Sequence, residues 1–239
     1  VIGGWAARRF WKAADARREE DAWTVYLDGR PIRTPDKRPL ALPTRAMATA
    51  IAEEWMAQGD VIDPTSMPVT RAANSAIDKV RPHKDDVVAA LLRYGETDLL
   101  CYRAEGPQAL SMRQSAAWDP ILDWAEQALG SRLVAVAGVM PRPQDQGALD
   151  RLAAEAGRMD PFDLTGFHDL VTLSGSLVLG LAVVRGRLAA PEAWEASRVD
   201  EEFQAELWGH DAEAEKATAI RRDAFLAAER FMALNRSES

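Results

Sequence analysis

The apolar pattern of this chain changes period once, and that change limits the folds open to it. Up to residue 43 short runs alternate on a period of two, and from Thr44 onward the spacing becomes about 3.6. Trp23-Thr24-Val25-Tyr26-Leu27 is rich in the aromatic and β-branched residues that suit a pleated surface. Asp28-Gly29 supplies a two-residue turn that accepts positive φ at both centres. Arg30 to Thr34 returns with Pro31 at its start, as an edge strand tolerates. Pro39-Leu40-Ala41-Leu42-Pro43 reads as a third short strand, so residues 9–42 are expected to form a β-meander.

Helices follow. Thr44 is expected to cap one in which Met47, Ile51 and Trp55 fall at i, i+4 and i+8, with Gly59 as its C-cap. A second is expected from about Val69 to Lys79, with Val69, Ala73, Ala76, Ile77 and Val80 on one side. A third runs from about Asp85 to Tyr94 on Val88, Leu91 and Leu92 and stops at Gly95. Leu99-Leu100-Cys101-Tyr102 fits strand and helix equally. In 108–129, Pro120 either kinks one helix or starts a second. Arg132 to Val139 reads as a strand, and Pro141, Pro143 and Gly147 mark a loop. Further helices are expected near 146–157, 161–172, 174–185, 191–208 and 213–234. The fold class is therefore α+β: an N-terminal mixed α/β domain over 1–105 with antiparallel strands, then a mainly α-helical domain over 106–239.

At 239 residues the chain is long enough to bury a sizeable core without staples. Its single cysteine, Cys101, forms no internal disulfide and fits a reducing compartment. Clustered Cys and His of the kind a structural zinc needs are absent. The longest apolar run, Leu173 to Val184, has 12 residues where a bilayer takes roughly 20, so a buried core helix is expected and no membrane insertion. Val1-Ile2-Gly3-Gly4 lacks an initiator Met and reads as a processed or trimmed start, without a secretory signal. A net charge of -8 argues against a nucleic-acid partner.

Familiar catalytic patterns fail. There is no phosphate-cradling G-x-x-x-x-G-K-[ST] and no G-x-G-x-x-G after a strand. Ser176 lacks the flanking glycines of a nucleophile elbow, and Ser174, Gly175, Ser176 and Gly180 read better as small residues that let helices approach. Cys101, between Leu100 and Tyr102, reads as an inert core thiol. One alternative remains: His83, His168-Asp169 and a later Asp200 or Asp211 follow the order of an HD-type metal-dependent phosphohydrolase. Surface or capping histidines, with His210 in an acidic exposed stretch, are the more economical reading.

Charge is unevenly placed. Residues 1–100 hold 15 Lys/Arg and 15 Asp/Glu, so the whole imbalance lies beyond them. Residues 192–215 hold nine acids and one base, Arg198, a net -8 that equals the charge of the chain. On a helical period Ala196, Val199, Phe203 and Leu207 form an apolar stripe beside a polar one of Glu195, Arg198, Glu202 and Glu206. Glu192 and Glu195, after Pro191, also suit a helix N-terminus. This is either a core-packed helix with a solvated face or a docking face for a basic partner. Eight tryptophans stand out: Trp5, Trp11, Trp23, Trp55, Trp118, Trp124, Trp194 and Trp208. Trp55 is expected to be buried, and Trp208, before Gly209, to be a surface candidate.

A series of segments in order resembles a known family. Arg8-Arg9-Phe10-Trp11-Lys12 precedes Leu27-Asp28-Gly29-Arg30-Pro31-Ile32-Arg33-Thr34-Pro35, then Ala50-Ile51-Ala52-Glu53-Glu54-Trp55 with Gln58-Gly59. Met67-Pro68-Val69-Thr70-Arg71 leads to Asn74-Ser75-Ala76-Ile77-Asp78, where Ala72 replaces a common leucine. Asp98-Leu99-Leu100-Cys101-Tyr102-Arg103, Trp118-Asp119-Pro120, Ser174-Gly175-Ser176-Leu177, Glu201-Glu202-Phe203-Gln204 and Trp208-Gly209 complete it. Together they resemble the ATP synthase assembly chaperone family that acts on the α subunit of the F(1) sector. The resemblance implies a non-enzymatic chaperone, monomeric when free, with no cofactor and no need of ATP. It implies binding to the unassembled α subunit and shielding of the surface that later meets the β subunit. The family's sensitive positions correspond to Trp55 and to Glu201 or Glu202, with Glu202 favoured because it lies on the polar stripe. Gln204, Glu206 and Trp208 join them as expected partner-binding residues. No import presequence is seen, which suits a bacterial, cytoplasmic member, with eukaryotic relatives in the mitochondrial matrix.

Overall fold

The structure is a computed structural model that describes residues 8–138, 140, 142–209 and 211–237, so Trp5, Pro141 and His210 lie outside the described residues. The chain forms two compact units. One takes residues 1–83, 160–166 and 230–239, and the other takes 84–159 and 167–229.

The first unit begins with the expected antiparallel sheet. Strands β1 (Ala14–Glu19), β2 (Ala22–Leu27) and β3 (Arg30–Pro31) lie in the order β1-β2-β3. Asp28 and Gly29 turn β2 into β3 with φ of 46° and 79°. Asp28 pins the turn, since its carboxylate accepts from the N–H groups of Lys12 and Ala13 at 3.0 and 2.9 Å. The return strand is shorter than expected: Pro31 faces Tyr26, and beyond it only a bridge from Arg33 to Pro39 continues the pairing. Leu42 bridges to Trp23, so the third expected strand is a single contact. Strand β1, four of whose six residues are charged, carries too little apolar alternation to stand out in the sequence.

Helix α1 (Arg45–Met56) covers this sheet. Thr44 caps it, accepting from Met47 N–H at 3.1 Å while donating to the Leu234 carbonyl at 2.7 Å. The C-cap is Ala57, two residues before the expected Gly59. Helix α2 (Pro68–Ser75) is capped from outside, because the Glu54 carboxylate accepts from Val69 N–H and Thr70 N–H at 2.7 and 2.8 Å. It continues through a π turn over Ala76–Val80, and Val69, Ala73, Ala76, Ile77 and Val80 are all buried, as the spacing predicted. The core of this unit also takes Phe162 and Phe231, whose rings lie 6.2 Å apart. These compact units therefore do not follow a single cut near residue 105. Nothing in a helical apolar pattern says which of two cores an aromatic residue will join.

The second unit is almost wholly helical: α3 (Lys84–Glu96), α4 (Gln108–Leu129), α5 (Gln146–Gly157), α6 (Pro161–Ser174, begun in the first unit), α7 (Leu177–Val184), α8 (Ala190–Ala196), α9 (Val199–Trp208) and α10 (Ala212–Arg236, ending in the first unit). Helix α3 runs through Gly95 instead of stopping there. A Cβ at Gly95 would stand 3.1 Å from side chains of Leu149 and Leu177, so glycine serves close packing. Helix α4 is one helix with Pro120 on its exposed side, where the missing donor faces water. Leu99–Cys101 is a 3₁₀ turn, and β4 (Tyr102–Arg103) pairs in parallel with β5 (Val136–Ala137), all that forms of the expected 132–139 strand. Helix α7 is buried on nearly every side, as its apolar run requires. Gly180 lets it approach α6: a Cβ there would meet Val171 at 2.8 Å and Phe167 at 2.9 Å. Among the described residues no helix is long and apolar enough to cross a membrane.

Candidate docking site on the acidic helices

The acidic stretch is not one helix. Pro191 opens α8, and the Glu192 carboxylate accepts from the Ala189 N–H at 2.9 Å, so this acid is spent on a local cap. Ser197 and Arg198 interrupt the expected 191–208 helix, with the Ser197 hydroxyl donating to the Trp194 carbonyl at 2.6 Å. The proposed stripes, drawn through one continuous helix, are broken there. Helix α9 starts anew with Asp200, Glu201 and Glu202 in its first turn, where the helix dipole favours negative charge.

Helix α9 is held by little apolar burial. Phe203 is its one buried residue, Val199 is half-buried, and Leu207, expected on the apolar stripe, is 58% exposed. Polar tethers to α4 fix it in place. The Gln114 amide donates to the Asp200 carboxylate at 2.7 Å and accepts from Ala104 N–H at 2.8 Å. Just ahead of α9, the Trp118 indole N–H donates to the carbonyl of Ala196, the last residue of α8, at 2.7 Å. Arg113 lies over the Phe203 ring and grips Glu206 with two bonds of 2.7 and 2.8 Å, which lowers the Glu206 carboxyl below its ordinary range. Gln114 and Arg113 escaped the sequence reading, because an amide or guanidinium on a helix face carries no mark of its partner.

The five α9 residues singled out in sequence divide by role. Glu206 is committed to Arg113, and Glu201 pairs with Arg198 at 2.6 Å. Glu202 and Gln204 are exposed, and Glu202 forms no ion pair among the described residues. Trp208 is 79% exposed, alone among the described tryptophans in facing water. Glu202, Gln204 and Trp208 help to line a groove of about 660 Å³ whose other wall is the start of α10.

Trp55 belongs to the first unit and is half-buried instead of fully enclosed. Its ring meets Trp11 edge-on with centroids 4.9 Å apart, its carbonyl accepts from the Trp11 indole at 3.2 Å, and it packs on the core beneath the sheet. Its own indole N–H is enclosed with no acceptor among the described residues.

No group of three or more His, Cys, Asp or Glu among the described residues is placed to hold a metal. The His168 ring pairs with its neighbour Asp169 at 3.2 Å, and both are partly exposed, so the phosphohydrolase alternative finds no support. Cys101 is buried, and burial with the nearby Asp98 charge pushes its thiol up to about 12. Ser176 caps α7, accepting from Leu179 N–H at 2.9 Å.

Three motif segments of the second unit, 98–103, 118–120 and 174–177, are architectural. Arg103 packs over the Trp118 ring and pairs with Asp119 at 2.8 Å, joining two of them. Asp98, in the same segment as Arg103, ties it to the start of α7: its buried carboxylate accepts from Leu100 N–H at 3.0 Å and from Val178 N–H at 3.1 Å.

Known proteins can be set beside this geometry. The crystal structure of Atp12 from Paracoccus denitrificans is 56% identical, covers 98% of this chain and 100% of its own, and superposes with a TM-score of 0.93. The chain belongs to the ATP12 chaperone family. The family pattern described as "ATP12 chaperone protein" matches residues 8–126. An aspartate-to-lysine variant of the Paracoccus denitrificans Atp12p is also 56% identical, with a TM-score of 0.92 over 96% of this chain and 98% of its own. The mitochondrial protein atp12 of Schizosaccharomyces pombe is 25% identical over 218 residues, 84% of this chain and 74% of that protein. ATP12 proteins are chaperones of ATP synthase assembly and not enzymes, and the α+β architecture with its helical later part is shared with the bacterial structure.

Proposed function

We propose that this ATP12 chaperone binds the unassembled α subunit of the ATP synthase F(1) sector and shields the surface that later meets the β subunit. In a bacterium this takes place in the cytoplasm, and the free chaperone is a monomer that uses no ATP. The observation that carries the reading is the state of α9. A helix anchored by one buried side chain and by polar bonds from Gln114 and Arg113 leaves Glu202, Gln204, Leu207 and Trp208 facing water. Burying a tryptophan removes on the order of 200 Å² from water, worth about 5 kcal/mol at 25 cal/mol/Å², so an indole left this exposed suits later burial against a client. Trp55 contributes from the first unit, by contact or by holding α1 against Trp11.

The test is co-purification with the cognate α subunit by gel filtration. A complex is expected with the wild type. Glu202→Lys is expected to lose most of it while unfolding within about 0.5 kcal/mol of wild type, since the carboxylate is exposed. Trp55→Ala is expected to lose about 3 kcal/mol of stability, the low end for a packed aromatic. A wild-type chain that elutes apart from α refutes the reading.

A further inference from the structure

The groove between α9 and α10 is lined on its apolar side by Trp194, Ala205, Trp208, Ala214 and Ala219. Glu195, Glu201, Glu202 and Asp211 stand around it, and the cations that share it are Arg198 and Arg222. Arg198 is folded over the Trp194 ring and paired with Glu201, so these two offset each other, and the acids without an ion pair among the described residues include Glu202. The dipole of each helix start accounts for acids lying in those first turns. It accounts neither for two acidic helix starts bordering one apolar channel nor for the exposed indole beside them. A channel with apolar walls and an acidic rim complements a segment that presents apolar residues on one side and Lys or Arg on the other.

We propose that this groove seats a basic amphipathic segment of the client, with its apolar side against Trp194 and Trp208 and its cations toward the acids of both helices. Resting on the reading that the client is the α subunit, this makes α10 a second binding wall that residues of α9 alone do not reveal. Asp211, Ala214 and Ala219 become contact positions. The rim acids are exposed, so their pull on the segment is screened over a Debye length of about 8 Å at physiological salt. Capture is expected to weaken as salt rises.

Ala214 and Ala219 are exposed helical positions that line the groove, and Ala217 is exposed on the same helix but does not line it. The experiment measures the dissociation constant for the purified α subunit with Ala214→Lys, Ala219→Lys, Ala219→Glu and Ala217→Lys, with thermal unfolding of each to show that it is folded. Each groove lysine is expected to weaken binding by about tenfold, while Ala219→Glu binds as well as wild type or better and Ala217→Lys leaves it unchanged. Raising potassium chloride from 50 to 300 mM is expected to weaken the wild type more than Ala219→Lys. Groove lysines that bind α with wild-type affinity overturn the proposal, and so does equal weakening by Ala219→Lys and Ala219→Glu, which would make the contact one of size and not of charge. Failure of the wild type to bind α at all would instead remove the reading beneath it.

Discussion

Asp98 shows how one residue ties sequence to fold. Its carboxylate sits wholly inside the second unit and receives N–H groups from the 3₁₀ turn and from the first turn of α7. Burial pushes its pKa from 3.8 up to about 6, and the donors, Ser176 first among them, only partly offset that. A carboxyl whose folded pKa is raised favours the native state while it is protonated. Its contribution is therefore complete below 3.8 and lost as the pH climbs through about 6. At about 1.4 kcal/mol per unit, the change is on the order of 3 kcal/mol. Urea unfolding at pH 4.5, 6 and 7.5 is expected to show the stability difference between wild type and Asp98→Asn shifting against the wild type as the pH rises. A difference that stays flat would show that the carboxylate is ionised and satisfied throughout. None of this was legible beforehand: Asp98 in the sequence is one acid among 37, and its desolvation is a property of what folds around it. Cys101 was legible, because two apolar neighbours already implied burial.

At the scale of elements, legibility follows periodicity. Helix α5 falls on the expected 146–157, and the apolar side of α2 and its π turn is the expected one, because many evenly spaced residues vote together. Single punctuation residues misled. Gly59 and Gly95 suggested helix ends, yet α1 ends at Ala57 and α3 passes through Gly95, which is there for two leucines. The 191–208 segment breaks at Ser197-Arg198, where no glycine or proline announces it; a serine bonded back to the Trp194 carbonyl is enough. Gly180 gives a test in which two effects oppose. Alanine improves helix propensity by roughly 1 kcal/mol, but its Cβ would stand 2.8 Å from Val171. Overpacking of a filled core costs about 1–3 kcal/mol, so the clash wins. Gly180→Ala is expected to lower the melting temperature, read by circular dichroism, and a rise would mean that α6 and α7 separate freely.

For the whole molecule, the sequence revealed where the charge lies but not how it is used. A net -8 confined to 192–215 is spread over two helices and the start of a third. Glu192 is spent on a cap, Glu201 and Glu206 on ion pairs, and Asp200 on the Gln114 amide. In the proposed reading the acids left to a partner centre on Glu202, together with Asp211, whose carboxylate also accepts from the Glu213 N–H at 2.9 Å, and the exposed Trp208 lines the same groove. The docking face we propose is narrower than the sequence suggested and includes a wall on α10. We propose that this chaperone keeps the α subunit from aggregating until it meets the β subunit. The direct measurement is light scattering of purified α subunit at 37 °C, alone and with equimolar chaperone, followed by addition of the β subunit. Scattering is expected to fall to near background with wild type and to stay high with Glu202→Lys, with α released on adding β. Equal scattering with and without the wild-type chain would contradict the account.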